Sequence, residues 1–216
     1  MIMKNYLFDF DGTLADSMPT FVGVMLRVMR ENGLTPAPDT VRIITPLGYG
    51  GTAEYFRSLG VKLPAEELVA RMHELATEDY EQRIHLKEGV ADTLRTLRES
   101  GCSLNVLTAS PHGMLDPCLK RCGVYDLFDN VWSCEDFGRT KSDPEIYREA
   151  AGRMGVPIEQ VTFVDDNLGA CTVAKSAGAI TVGIYDDSSA EAVEAMRARC
   201  DGYVFKLAEL IERAQK

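Results

Sequence analysis

The sequence predicts an α/β fold: a doubly wound, Rossmann-like parallel sheet core with an inserted α-helical cap subdomain. Three observations predict it. Short apolar runs rich in β-branched and aromatic residues recur along the chain, each too short for a helix. Stretches of helical periodicity separate most of them, an alternation that builds a parallel sheet wrapped by helices. Between the first and second runs the alternation breaks, and residues 16–86 read as helices punctuated by Gly and Pro.

Taken in order, the strand candidates are Tyr6 to Phe10, Leu104 to Leu107, Val131 to Trp132, Val161 to Val164 and Ile180 to Ile184. The helical stretches of the core are 88–100, 112–122, 144–154 and 168–177. Asp143 followed by Pro144 suits an N-cap with a first-turn proline, and Ser188 with Glu191 fits a capping box ahead of Ala190 to Arg199. Inside 16–86, Val22, Met25, Leu26 and Met29, then Leu68, Met72 and Leu75, mark amphipathic faces. A crossover between parallel strands needs only about a dozen residues, so the excess is a subdomain. The boundaries expected are 1–15 with 87–216 for the core and 16–86 for the cap.

Composition narrows the function. Lys and Arg number 23 against 33 Asp and Glu, a net charge of −10 with no basic run, which excludes a nucleic-acid partner. The six cysteines lack CxxC spacing and sit mostly in apolar segments, so they read as reduced thiols, not as a disulfide or zinc framework. No apolar run approaches the roughly 18 residues of a membrane span, and no signal peptide is expected. These points together place the protein in the cytoplasm, with no membrane partner.

Open parallel sheets bind ligands at the carboxyl ends of their strands. Asp9 and Asp11 follow the first strand, Thr108 and Ser110 the second, and Asp165, Asp166 and Asn167 the fourth, with Lys141 in the loop after the third. Carboxylates crowded at one edge need a cation, and Mg2+ suits them because it takes one or two carboxylates and completes its shell with water and substrate phosphate. An aspartate is already ionised at neutral pH and can attack phosphorus directly, while a second carboxyl moves protons. Simpler readings stand beside these. Asp165 to Asn167 also fits a cap for a helix starting near Leu168, Thr108 fits a helix cap, and Lys141 fits a surface position. His112 fits either the pocket or the start of a helix, and Asp186 to Ser189 reads as a solvated turn.

Four segments together resemble the motifs of the haloacid dehalogenase superfamily. They are Asp9-Phe10-Asp11-Gly12-Thr13-Leu14, Leu107-Thr108-Ala109-Ser110, Lys141 ahead of Asp143-Pro144-Glu145, and Phe163-Val164-Asp165-Asp166-Asn167. The run Gly169 to Gly178 followed by Ile180 to Ile184 is similar to the phosphoglycolate phosphatase and β-phosphoglucomutase branch. The resemblance implies Asp9 as nucleophile and Asp11 as general acid/base. It implies that Thr108 and the Ala109 amide hold phosphoryl oxygens, and that Lys141 bridges nucleophile and phosphate. For Mg2+ it implies Asp9, the Asp11 backbone carbonyl and Asp166, with Asp165 acting through a water. It places Gly48, in the segment Thr45 to Gly51, at the cap loop that contacts substrate.

Within that family the presence of Asp11 argues against dehalogenation, and the single cap lysine, Lys62, sits in a loop and argues against Schiff-base chemistry. Phe21, Leu47 and Gly51 stand where the mutases carry histidine and basic residues. The expectation is a Mg2+-dependent phosphatase of a small phosphomonoester, phosphoglycolate-like, acting through an aspartyl phosphate as monomer or homodimer. A sugar-phosphate mutase or pyrophosphatase is the alternative inside the family. Outside it stands a phosphoaspartate signalling or phosphate-binding module, although a signalling receiver places its acidic pair first and lacks a large insertion.

Overall fold

A computed structural model describes residues 4–214. Their contacts divide the chain into two units, one of residues 4–16 and 85–214 and another of Ser17–Ile84. In the first unit, strands β1 (Asn5–Phe8), β2 (Ser103–Thr108), β3 (Asn130–Ser133), β4 (Val161–Asp165), β5 (Ile180–Ile184) and β6 (Gly202–Val204) form one sheet in the order β3-β2-β1-β4-β5-β6. Every neighbouring pair is parallel. The second unit holds helices α1 (Met18–Glu31), α2 (Thr40–Ile44), α3 (Gly48–Ser58) and α4 (Ala65–Gln82). The first unit adds α5 (Val90–Glu99), α6 (His112–Arg121), α7 (Pro144–Met154), α8 (Leu168–Ala177), α9 (Val193–Arg199) and α10 (Glu209–Ala214).

The central strands are buried without alternation because helices cover both faces of a parallel sheet. Leu7 pairs in register with Asn105 on one side and Phe163 on the other. Leu7, Leu107 and Phe163 pack with Ile146 and Tyr147 of α7 and Ala170, Cys171 and Ala174 of α8. The small residues on α8 let that helix lie close to the sheet. Tyr147 meets Phe163 edge-on at 5.0 Å, a geometry that adds roughly 0.5–1.5 kcal/mol beyond the buried area. Its hydroxyl reaches the backbone carbonyls of Lys141 (2.9 Å) and Ala170 (3.2 Å), so one core side chain ties the loop bearing Lys141 to α8.

The sheet order reverses at β1. From there the chain steps outward to β2 and β3, and the later strands build on the opposite side from β4 to β6. The crevice between β1 and β4 is therefore the topological switch point, where such sheets bind ligands.

The expected Asp143 cap is present: its carboxylate accepts from the Glu145 amide at 2.9 Å, with Pro144 at the first helical position. Asn167 caps α8, accepting from the Ala170 amide at 3.0 Å. Three local expectations are corrected. The first strand ends at Phe8, which leaves Asp9 and Phe10 in the loop. The capping box at Ser188 does not form; the Asp186 carboxylate accepts from the Ser188 amide at 2.8 Å, and a 3-10 turn over Asp187–Ala192 precedes α9. Thr45 to Gly51 is no loop, since a 3-10 turn at Thr45–Leu47 runs straight into α3.

In the second unit the methionine-rich face is core. Val24, Met25, Val28 and Met29 of α1 are buried, as are Phe56 of α3 and Leu68, Met72 and Leu75 of α4. Phe21 stacks on Tyr49 at 4.6 Å, and His73, an exposed residue, lies edge-on against Tyr49 at 5.2 Å.

Candidate active site

The chain leaves β1 with Asp9, whose amide donates to the Val164 carbonyl of β4 at 2.9 Å. That bond sets the carboxylate over the switch point. The next residues close a tight loop in which the Leu14 and Ala15 amides both donate to the Phe10 carbonyl, and the Gly12 amide donates to that of Ala15. Gly12 holds φ +77°, and a Cβ there would lie 2.8 Å from both carboxylate oxygens of Asp166. Only glycine lets the backbone come this close. Thr13 completes the junction, its hydroxyl donating to Asp166 Oδ1 (3.3 Å) and accepting from the Asp166 amide (3.2 Å).

Lys141 enters from the loop after β3 and donates to Asp9 Oδ1 and to Asp165 Oδ2, the latter at 2.9 Å. The other oxygen of Asp165 accepts from the Asn167 amide at 2.7 Å. Asp9, Asp165 and Asp166 are all buried, and each offers one oxygen within 4.8 Å of the others. Asp11 is held elsewhere. Its Oδ2 accepts from the Ser110 hydroxyl at 2.5 Å and from the Thr108 hydroxyl at 3.4 Å, and Thr108 Oγ1 in turn accepts from the Ser110 amide at 3.1 Å. Two acidic environments result: a buried trio bridged by a lysine, and a single carboxylate on a hydroxyl shelf at the end of β2. Ala109 and Lys141 line a common cavity of about 430 Å³ with Cys134, Gly138, Arg139 and Thr140.

The electrostatics of the trio are unbalanced. Burial, then Asp165, Asp166 and Asp11, push the Asp9 carboxyl well above the usual carboxylate range, and Lys141 opposes them. Asp166 is pushed up to about 7, first by burial and then by Asp165 and Asp186, against the pull of Lys87. Burial on its own would lower Lys141, but Asp165 and Asp9 outweigh it and hold the ammonium above its ordinary value. One ammonium cannot neutralise three desolvated carboxylates. Buried, convergent and oxygen-only, this donor set fits a hard divalent cation.

The structure thus brings together Asp9, Lys141, Asp165 and Asp166, and sets Asp11 beside Thr108. It places Gly48 in the second unit, at the first position of α3 with φ +62°. The expectation of a solvated turn at Asp186 is corrected. Asp186 is buried and pairs with Lys87 at 2.7 Å, an arrangement that no local pattern announces because the partners are far apart in sequence. His112, at the start of α6, bridges Asp116 (2.9 Å) and Asp136 (2.8 Å), and both carboxylates raise its pKa despite partial burial. The contact of Ser110 with Asp11 is a second pairing that the sequence left without a role.

Residues 3–178 match the family model of the haloacid dehalogenase-like hydrolases. Phosphoglycolate phosphatase of Salmonella typhi is 30% identical over 205 residues, spanning 84% of this chain and 81% of that protein. N-acetylmuramic acid 6-phosphate phosphatase of Pseudomonas aeruginosa is 28% identical over 188 residues, 85% of this chain and 82% of that one. The fold is shared with a Thermotoga maritima crystal structure provisionally named a beta-phosphoglucomutase, at a TM-score of 0.82 and 24% identity over 99% of both chains. Among the described residues, no helix is long and apolar enough to cross a membrane.

Proposed function

This chain belongs to the haloacid dehalogenase-like hydrolases, and from that membership we propose that it is a Mg2+-dependent phosphatase which passes the phosphoryl group of a small phosphomonoester through Asp9. The observation that carries the reading is the separate placement of its carboxylates. Asp9 lies in a buried trio beside Lys141, and Asp11, two residues on, lies outside that trio among hydroxyls.

In the first step an Asp9 carboxylate oxygen bonds to phosphorus as the bond from phosphorus to the leaving oxygen breaks. Asp11 gives that oxygen its proton. In the second step Asp11 takes a proton from water as the water oxygen attacks phosphorus, releasing phosphate and restoring the Asp9 carboxylate. Lys141 orients Asp9 and offsets charge repulsion between it and the phosphoryl oxygens. The Thr108 hydroxyl and Ala109 amide, at the end of β2, take further phosphoryl oxygens.

Asp9, the Asp11 carbonyl and Asp166 would hold Mg2+, with Asp165 through a water, and the ion would neutralise both the carboxylates and the incoming phosphate. The hydrogen bonds favour that order. Both oxygens of Asp165 are engaged, by Lys141 and the Asn167 amide, whereas among the described residues the side-chain donor to Asp166 is the Thr13 hydroxyl at 3.3 Å. Phosphoglycolate is the leading substrate, by likeness to the relatives of that name, and the second unit with Gly48 is the candidate for choosing among phosphomonoesters.

Hydrolysis of p-nitrophenyl phosphate with Mg2+ and in EDTA tests the activity. A panel of phosphorylated metabolites ranked by kcat/KM, including phosphoglycolate and amino-sugar 6-phosphates, tests the substrate. Metal-dependent turnover with a small acid phosphate at the head supports the reading. No turnover together with a long-lived phosphorylated protein supports a signalling module instead, and isomerisation of a hexose phosphate supports a mutase.

A further inference from the structure

We infer that Lys87 is a positioning residue for the nucleophile loop, its ammonium fixing the Gly12 carbonyl and thereby the orientation of Asp11 and Thr13. The inference rests on the phosphatase reading for its kinetic consequence alone. Lys87 Nζ donates to the Gly12 carbonyl, to the Tyr185 carbonyl at 3.0 Å and to Asp186 Oδ2 at 2.7 Å. Three protons meet three acceptors, so the ammonium is fully used.

Its backbone adds to the fixation. The Lys87 amide donates to the Leu14 carbonyl at 2.9 Å, and Leu86 pairs with Ala15 in an antiparallel bridge. The segment that returns to the first unit is thereby laced onto the loop that left it. Gly12 is the residue of that loop most able to change conformation, since it lacks a Cβ and holds a positive φ. On one side it packs against the Asp166 carboxylate, and Thr13 grips the same carboxylate. Lys87 holds the Gly12 carbonyl, so a flip of this peptide, which would carry Asp11 and Thr13 with it, must break a charge-assisted bond.

Asp186 is buried, so removing Lys87 also strands a carboxylate, and a loss of stability must be separated from a loss of positioning. Three variants do so. Lys87→Met should lower the melting temperature and reduce kcat by roughly 10- to 100-fold, the range a small misplacement of reacting groups produces, with KM little changed. Lys87→Met with Asp186→Asn removes the stranded charge. It should recover the melting temperature while kcat stays low. Asp186→Asn alone leaves Lys87 on both carbonyls and should keep kcat within about twofold of wild type.

Hydrogen exchange supplies a readout independent of turnover. The Gly12, Leu14 and Ala15 amides, all hydrogen-bonded within the loop, should exchange faster in the double variant than in Asp186→Asn. Recovery of kcat along with melting temperature in the double variant, unchanged loop exchange there, or an equal kcat loss in Asp186→Asn would overturn the assignment. Should a methionine variant fail to fold, Lys87→Arg keeps the charge for Asp186 on a planar head that cannot reproduce the three-way contact. It should melt near wild type with reduced kcat, and wild-type kcat there would overturn the assignment. Absence of wild-type turnover would count against the phosphatase reading, and the exchange arm would still decide the role of Lys87.

Discussion

Replacing Lys141 with methionine keeps the length and apolar stem of the side chain and removes the ammonium that touches both Asp9 and Asp165. The side chains of those two aspartates are 7% and 1% exposed and that of Lys141 is 15%, so water can supply little compensation. Removing one partner of a buried pair destabilises by roughly 3–5 kcal/mol. At roughly 2–4 °C per kcal/mol for a chain of this size, the melting temperature should fall by about 6–20 °C in EDTA. The deficit should also depend on pH with a definite sign. Without Lys141 the Asp9 carboxyl, already raised above 3.8 by burial, rises further. A carboxyl whose folded pKa exceeds its unfolded value destabilises above the unfolded value, so over the range from acid to mildly alkaline pH the deficit should grow as pH rises through the raised Asp9 value. Because Asp9 and Asp165 then lose their ammonium partner, added Mg2+ should recover part of it. Turnover should drop by about 10²–10³-fold, the effect of losing one charge-stabilising donor. A variant that melts within about 2 °C of wild type across this range would refute the electrostatic reasoning.

Other expectations follow from the same geometry. Gly12→Ala drives a methyl group to 2.8 Å from the Asp166 oxygens at a backbone angle that alanine resists, so activity should fall by at least an order of magnitude; unimpaired kcat would show that the loop tolerates displacement. His112→Asn removes a bridge whose folded pKa lies above 6.5. Its contribution is fully present below that value and lost as pH rises through the raised one, so the variant's melting deficit should be largest near about pH 5.5 and fade toward about pH 9. A deficit independent of pH would mean that the imidazole acts through packing alone. Phe163→Ala empties a fully buried site between α7 and β4 and should cost about 3–5 kcal/mol by urea titration, a loss under about 1 kcal/mol being incompatible with the packing described.

The core was legible because buried parallel strands announce themselves as apolar runs, and the residue after each run marks the working edge. Asp9 follows β1, Thr108 and Asp165 are the last residues of β2 and β4, Asp166 follows β4 and Lys141 lies in the loop after β3, so segments far apart in the chain meet at the carboxyl edge that the switch-point rule singles out. What stayed hidden has physical causes. β6 is three residues long, too short for a period to register. Thr45 to Gly51 carries a proline and three glycines, which read as a loop, but packing within the helical unit overrides that propensity and draws Gly48 to Gly51 into α3. The pairing of Lys87 with Asp186 joins positions 99 apart, a contact that only the folded sheet creates.

The nucleophilic role of Asp9 is tested most directly by trapping. Enzyme in excess over substrate is quenched in acid within one turnover, treated with borohydride to reduce any acyl phosphate to the alcohol, digested and read by mass spectrometry. Homoserine at position 9, absent when substrate is omitted and absent in Asp9→Asn, is the expected result. Phosphate carried on another residue, or turnover that persists in Asp9→Asn with no trapped adduct, would contradict the account.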